Sequence, residues 1–190
     1  MSIPKHVEKH LAKHQAKYVH VPHRTVFTAY DAAQTLRRKL DEIAKNVLVK
    51  TDDGLALVII PASKNIDFNK LKQTMKKAGA RVKKIKIPNE KEITKALGIK
   101  PGTLSAFGSL HELKTYMDKG FAKAKKVIFS SGSVEDSVEM AVVEFAKLEN
   151  AILGSFTVPK KLPKQVKVVI KKTKAKKLAK KTARKSKKRK

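Results

Sequence analysis

Residues 47–49 and 55–60 are two apolar runs, and between them stands Asp52-Asp53-Gly54. Asp and Gly tolerate the left-handed backbone of a tight turn, and the flanking residues are rich in Val, Ile and Leu. The pattern predicts an antiparallel hairpin. Its strands are too apolar to face water, so the remainder of the chain has to cover them.

The remainder supplies both helices and further strands. Residues 4–17 predict a short helix with Pro4 in its first turn. His6, His10 and His14 recur every four residues and share one face, read as solvated. Residues 18–21 alternate as a strand. Thr28 caps a predicted helix that runs to Leu40, with Ala29, Ala32, Ala33 and Leu36 on its buried side. Asp67 opens another, with Phe68, Leu71 and Met75 on one face and Gly79 past its end. Val82, Ile85 and Ile87 predict a strand, and residues 90–97 a short helix stopped by Gly98. Strands are predicted at 114–117, 127–130 and 137–142, and a last helix at 143–148. The implied fold is α/β of the α+β type: a mixed, largely antiparallel β-sheet flanked by helices. There is no internal repeat.

Charge divides the chain. The net charge is +29 over 190 residues. Residues 158–190 hold 17 Lys and Arg and no acid, while the preceding 157 hold 28 Lys and Arg against 16 acids. Both parts are basic, which implies a polyanionic partner, because neutralising phosphates releases condensed counterions. Three segments are expected: an N-terminal helical extension at 1–16, a folded domain at 17–157 and a Lys-rich tail at 158–190. In the tail, Pro159 and Pro163 break local structure, and Val166, Val168 and Ile170 have the alternation of an edge strand. Residues 171–190 hold too little apolar surface to offset their ordering entropy, so disorder alone and a helix on a polyanion are expected. Lys171, Lys172, Lys176, Lys177, Lys180, Lys181, Arg184 and Lys185 are the expected nucleic-acid contacts.

Several classes of chemistry are excluded or disfavoured. The chain has no cysteine, hence no disulfide, thiolate or cysteine zinc site. No run of eighteen apolar residues is present, and residues 1–17 lack the apolar stretch of a signal peptide, so no membrane association and a cytoplasmic location are expected. There is no Gly-x-Ser-x-Gly elbow, phosphate-binding loop or dinucleotide fingerprint. Ser105, Ser131 and Ser133 have no recognisable histidine partner. The histidine row lacks carboxylate neighbours, so neither a metal nor a cofactor is expected. Aromatic residues are few, which disfavours a base-stacking platform.

What remains is a lysine at the head of a strand and a glycine-punctuated loop. Lys45-Asn46-Val47-Leu48-Val49 begins the first strand of the hairpin, and Lys50 ends it. Gly98 to Gly108 reads Gly-Ile-Lys-Pro-Gly-Thr-Leu-Ser-Ala-Phe-Gly, with Gly102 and Gly108 able to bring backbone close to a ligand. Asp118 ends a predicted strand, and Gly132 sits in the turn Ser131-Gly132-Ser133. On local sequence alone, Lys45 is also readable as a surface lysine, the loop as a connector, and Asp118 and Gly132 as turn residues.

In this order the pieces resemble the YbaK/prolyl-tRNA synthetase insertion-domain family of aminoacyl-tRNA deacylases, over about residues 17–156. The resemblance implies a mixed β-sheet with peripheral helices and hydrolysis of the ester of a mischarged tRNA in trans. It implies that Lys45 is required for deacylation and contacts the aminoacyl-adenosine end. It makes Gly98, Gly102, Ser105 and Gly108 pocket-shaping residues, Asp118 an orienting acid, Gly132 a lining residue, and His20 and His23 contacts to the tRNA end. Two positions depart from the family: Asn46 replaces the usual threonine, and Ala106 stands where proline is usual. These departures support an alternative, a non-catalytic RNA- or DNA-binding protein on the same fold that works through its tail. A third reading is an adaptor for a synthetase or the ribosome.

Overall fold

The computed structural model describes residues 3–100 and 102–160, and these belong to one compact unit. The predicted hairpin is its centre. β2 (Ala44–Thr51) and β3 (Gly54–Pro61) pair antiparallel over their full lengths, and Gly54 closes the turn at φ 113°. They follow α1 (Lys5–Lys13), β1 (Tyr18–Pro22) and α2 (Ala29–Thr35). After them come β4 (Lys64–Ile66), α3 (Phe68–Lys77), α4 (Glu90–Leu97), β5 (Lys114–Asp118), β6 (Lys126–Ser130), β7 (Asp136–Ala141), α5 (Val142–Leu148), β8 (Ile152–Gly154) and β9 (Thr157–Pro159).

The strands form three sheets, ordered β2-β3-β5-β8, β1-β7-β6 and β4-β9. Antiparallel pairs predominate; only β3-β5 and β5-β8 are parallel. β3 is buried on both faces, which explains its unbroken apolar run. Leu57 and Ile59 point into one core with Met117, Phe107, Phe129 and Phe145. Ala56, Val58 and Ile60 point into a second, where α3 contributes Leu71 and Met75. β2 lies at the sheet edge. Ile43, just before it, forms an isolated parallel bridge with Ile128 of β6, so two sheets meet there. Ala32 and Ala33 of α2 pack over that junction.

Several elements differ from the sequence expectation. α1 is shorter, ending at Lys13, and Gln15 takes φ 51°. Its Val7 and Leu11 are fully buried in the first core, so the N-terminal helix packs on the domain. His10 leaves the solvated face expected of it: Nε2 lies 3.1 Å from the buried Glu149 carboxylate. α2 stops well short of Leu40 because Arg37 turns left-handed at φ 52°. Residues 82–87 form no strand; only Lys86 bridges the β2 edge at Lys50. β4, β8 and β9 have three residues each, too few for a sequence pattern to register. β9 places Val158 and Pro159, read as the start of the tail, against Lys64 and Asn65. The strand expected through Val166, Val168 and Ile170, and the basic contacts from Lys171 to Lys185, lie outside the described residues. Among the described residues no helix is long and apolar enough to cross a membrane.

Candidate functional site

Where the two sheets meet, no strand among the described residues lies on the outer side of β2, and the space is left open as a cavity of about 800 Å³. This is within the range of roughly 300–1,000 Å³ usual for small-molecule sites. Residues 44–48 of β2 form one wall, Ser130 of β6 and Ser137 of β7 another, and residues 26–30 at the start of α2 overhang it. Ile99, Lys100, Gly102 and Leu104 bring the glycine loop to its rim.

Lys45 stands in this wall, paired across the strand with Ile60. It is half-buried and has no carboxylate partner among the described residues. Burial, and secondarily the positive charge of Lys160, lower its pKa from the ordinary lysine value. Lys160 lines the same cavity. Two ammonium groups brought together, neither paired with a carboxylate among the described residues, attract an anion or a developing oxyanion. The amide of Lys160 donates to the Ser63 carbonyl at 3.2 Å, which fixes its backbone. In the sequence this residue belongs to the expected tail; the pairing of β9 with β4 brings it to the cavity.

The loop is fastened to both walls. The Asn46 side-chain amide donates to the Leu104 carbonyl at 3.0 Å. The Ala106 amide donates to the Ser130 carbonyl at 2.9 Å. The second contact accounts for the missing proline, which has no N–H to give. Asn46 likewise has a task, tying β2 to the loop; its Oδ1 has no hydrogen-bond partner among the described residues. Gly132 has φ 90°, and a Cβ there would approach the Thr103 carbonyl to 3.2 Å and Ser105 Cβ to 3.3 Å. Glycine at this turn therefore allows the loop and the end of β6 to touch.

Of the expected residues, Lys45 and Gly102 come together at the cavity. Gly98 does not line it; it is the left-handed cap of α4 at φ 66°. Gly108 is packed in the core against Thr115 and Leu57. Ser105 is buried behind the loop, 3.5 Å from the Phe107 carbonyl. Gly132 lies behind Ser130 and Ser133, which do line the cavity. Asp118 is fully enclosed. Its Oδ1 accepts from the Gly120 amide at 2.7 Å and the Thr157 hydroxyl at 2.9 Å, and its Oδ2 accepts from the Phe156 amide at 2.8 Å. Buried and held by three donors, this carboxylate does not line the cavity where a substrate amine would be. His20 turns to Asp136 at 2.7 Å instead of the cavity.

Sequence reading missed a serine–histidine contact. His23 Nδ1 lies 2.9 Å from the Arg24 carbonyl, which only accepts, so Nδ1 carries the proton. In the neutral ring Nε2 then accepts from the Ser137 hydroxyl at 2.9 Å, in the cavity wall. The two residues are more than a hundred positions apart, and no local motif joins them. It also missed the rim. Phe27, Tyr30, Phe68 and Ile87 are among the few exposed large apolar side chains, and all four surround this cavity. Among the described residues no cluster of His, Cys, Asp or Glu is disposed to hold a metal ion.

Residues 23–148 match the family model of the aminoacyl-tRNA editing domain. A hypothetical protein of known crystal structure is similar with a TM-score of 0.70 at 19% identity, over 80% of this chain and 99% of that one. A candidate trans-editing enzyme for prolyl-tRNA synthetase is similar with a TM-score of 0.65 at 19% identity, over 81% and 96%. A candidate signal transduction protein from Marinobacter aquaeolei VT8 has a TM-score of 0.59 at 19% identity, with 83% of this chain matching 31% of that one. These likenesses show a shared fold. No curated protein matches the sequence.

Proposed function

We propose that this chain, which belongs to the aminoacyl-tRNA editing domain family, hydrolyses the ester of mischarged aminoacyl-tRNA in trans. One observation carries the reading. Lys45 is a half-buried cation with no carboxylate partner among the described residues, set in a cavity sized for an aminoacyl nucleoside and bordered by the glycine loop. The likeness to a candidate trans-editing enzyme supports the same direction.

In the proposed reaction a water oxygen attacks the ester carbonyl carbon. Negative charge gathers on the carbonyl oxygen, where the Lys45 ammonium compensates it. The bond from carbonyl carbon to ribose oxygen then breaks. The amino acid is released as its carboxylate; of the two protons the water gave up, one goes to the ribose oxygen and the other to solvent. A neighbouring ribose hydroxyl of the substrate assists the transfer. Gly102 and the backbone around it hold the ester in place. Lys160 adds positive potential and favours a substrate phosphate nearby. No protein nucleophile is needed, and no metal enters the scheme.

The test is hydrolysis of a panel of mischarged tRNAs, including alanyl, seryl, cysteinyl and prolyl esters, by the wild type and Lys45→Ala side by side. Turnover of at least one ester, lost in the variant with folding intact, is expected. Full activity in the variant overturns the role of Lys45. Tight, salt-dependent tRNA binding with no turnover on any ester favours the second reading, a non-catalytic nucleic-acid binder. That reading draws on the basic composition of residues 161–190.

A further inference from the structure

A second groove, of about 510 Å³, lies beside the cavity and shares Phe68 with it. Five lysines line it. Lys50 comes from the end of β2, Lys72 from α3, and Lys83, Lys84 and Lys86 from the segment that follows α3. They converge because the Lys50 amide donates to the Lys86 carbonyl at 2.8 Å and the Lys86 amide to the Lys50 carbonyl at 3.0 Å. Lys86 is paired with Glu92 at 2.9 Å, but Lys83 and Lys84 are exposed and in no ion pair among the described residues. The acid that lines the groove is Asp52. Its Oδ2 already accepts from the backbone amides of Lys83 and Lys84, and these bonds hold its pKa below the usual carboxylate value. The groove is thus a positive channel whose carboxylate is turned to backbone.

The channel leads into the cavity. Along β2 the cavity ends at Leu48 and the groove begins at Lys50, two residues or about 7 Å of strand. Along the opposite side Ile85 belongs to the groove and Ile87 to the cavity. Phe68, 39% exposed, stands at the join. A positive groove beside an exposed aromatic ring is the pairing that holds single-stranded nucleic acid: ammonium groups for the phosphates, a ring face for a base.

We infer that this lysine groove binds the phosphodiester backbone of the single-stranded 3′ end of tRNA, just before the nucleotide that carries the ester. The inference rests on the deacylase reading for what occupies the cavity. Lys83 and Lys84 track the phosphates, and Phe68 stacks on the base at the junction. The body of the protein then aligns the substrate by itself, apart from any contribution of residues 161–190.

The experiment uses the full chain and a fluorescent, uncharged single-stranded RNA ending in CCA, with binding read by anisotropy across a salt series. The variant is Lys83→Glu/Lys84→Glu. The control is Lys123→Glu/Lys125→Glu, which makes the same charge change at exposed positions that do not line the groove. The groove variant is expected to lose at least tenfold in affinity and to reduce the salt slope by about 1.4, two phosphate contacts at 0.7 each. The control should lose less than threefold, and Lys83→Ala/Lys84→Ala should fall between. With charged tRNA, KM rises while kcat holds, and hydrolysis of a free aminoacyl-adenosine is unchanged. Equal losses in groove and control variants, or no loss in the groove variant, overturn the inference. So does an equal loss on aminoacyl-adenosine, which would mean that the cavity itself was altered. The RNA carries no ester, so the binding outcomes are read whether or not the deacylase reading holds, while the two kinetic outcomes rest on it.

Discussion

Lys45 and Asp118 lie on strands of the same sheet, β2 and β5, separated only by β3. Both were expected at the substrate. Asp118 sits on an interior strand where three donors converge on its carboxylate, so its charge is spent on holding β5 to the chain around Phe156 and Thr157. Lys45 sits on an edge strand over a cavity, with another lysine near it and no acid partner among the described residues. One charge is satisfied and serves the fold. The other is kept half-desolvated and unsatisfied, which costs stability and leaves it available to a ligand. The difference lies in how each charge is paired, and on it rest the functional role proposed for Lys45 and the structural one proposed for Asp118.

The sharpest test of that contrast is Lys45→Ala. Activity on the responsive ester should fall about 100- to 1,000-fold, the usual effect of removing one group that stabilises an oxyanion. The urea midpoint should not fall. Asp118→Ala should show the reverse. Stranding buried donors is expected to cost about 3 kcal/mol, read from urea denaturation, with kcat of the folded fraction near wild type. A catalytic loss in Asp118→Ala without loss of stability would break the comparison.

A smaller effect is expected where the loop meets β6. Ala106→Pro restores the residue usual in the family but removes the amide that donates to Ser130. It should cost about 1–3 kcal/mol of stability and give no gain in kcat. A stabilised or more active variant would show that the loop can take up the family geometry here.

The smallest effect concerns pH. The folded-state pKa of Lys45 is lowered, so above that value the folded protein binds this proton less than the unfolded chain does. Stability from this group therefore rises with pH from the lowered value to the ordinary one. Activity runs the other way, falling as the cation is lost. Lys45→Met should remove both dependences and slightly raise the urea midpoint at neutral pH. A variant that keeps the alkaline rise in stability assigns it to another group.

Much of the fold was legible because local rules agree with the tertiary outcome. Asp52-Asp53-Gly54 makes its turn, Asp67 caps the helix that follows it, Gly98 stops the next, and the apolar run of β3 feeds two cores. The stretch through Val82, Ile85 and Ile87 has strand composition but lacks a partner strand beyond the single bridge at Lys50. Pairing is not a property of one segment. The candidate site was legible only in part for the same reason. Lys45 and Gly102 could be named from their motifs, whereas Lys160, Ser137 and Phe68 could not.

The sequence by itself determined the secondary elements with strong local signals, the basic character of the whole chain and the loop on which the family resemblance rests. Backbone preferences, apolar periodicity and net charge are sums over near neighbours, so they survive without a fold. Only the tertiary structure decided which charges are satisfied. It buried Asp118 among donors, set Lys45 beside Lys160, and gathered five lysines from three segments into one groove. Coulomb energy and desolvation depend on distances through space, and those distances follow from how the strands pair.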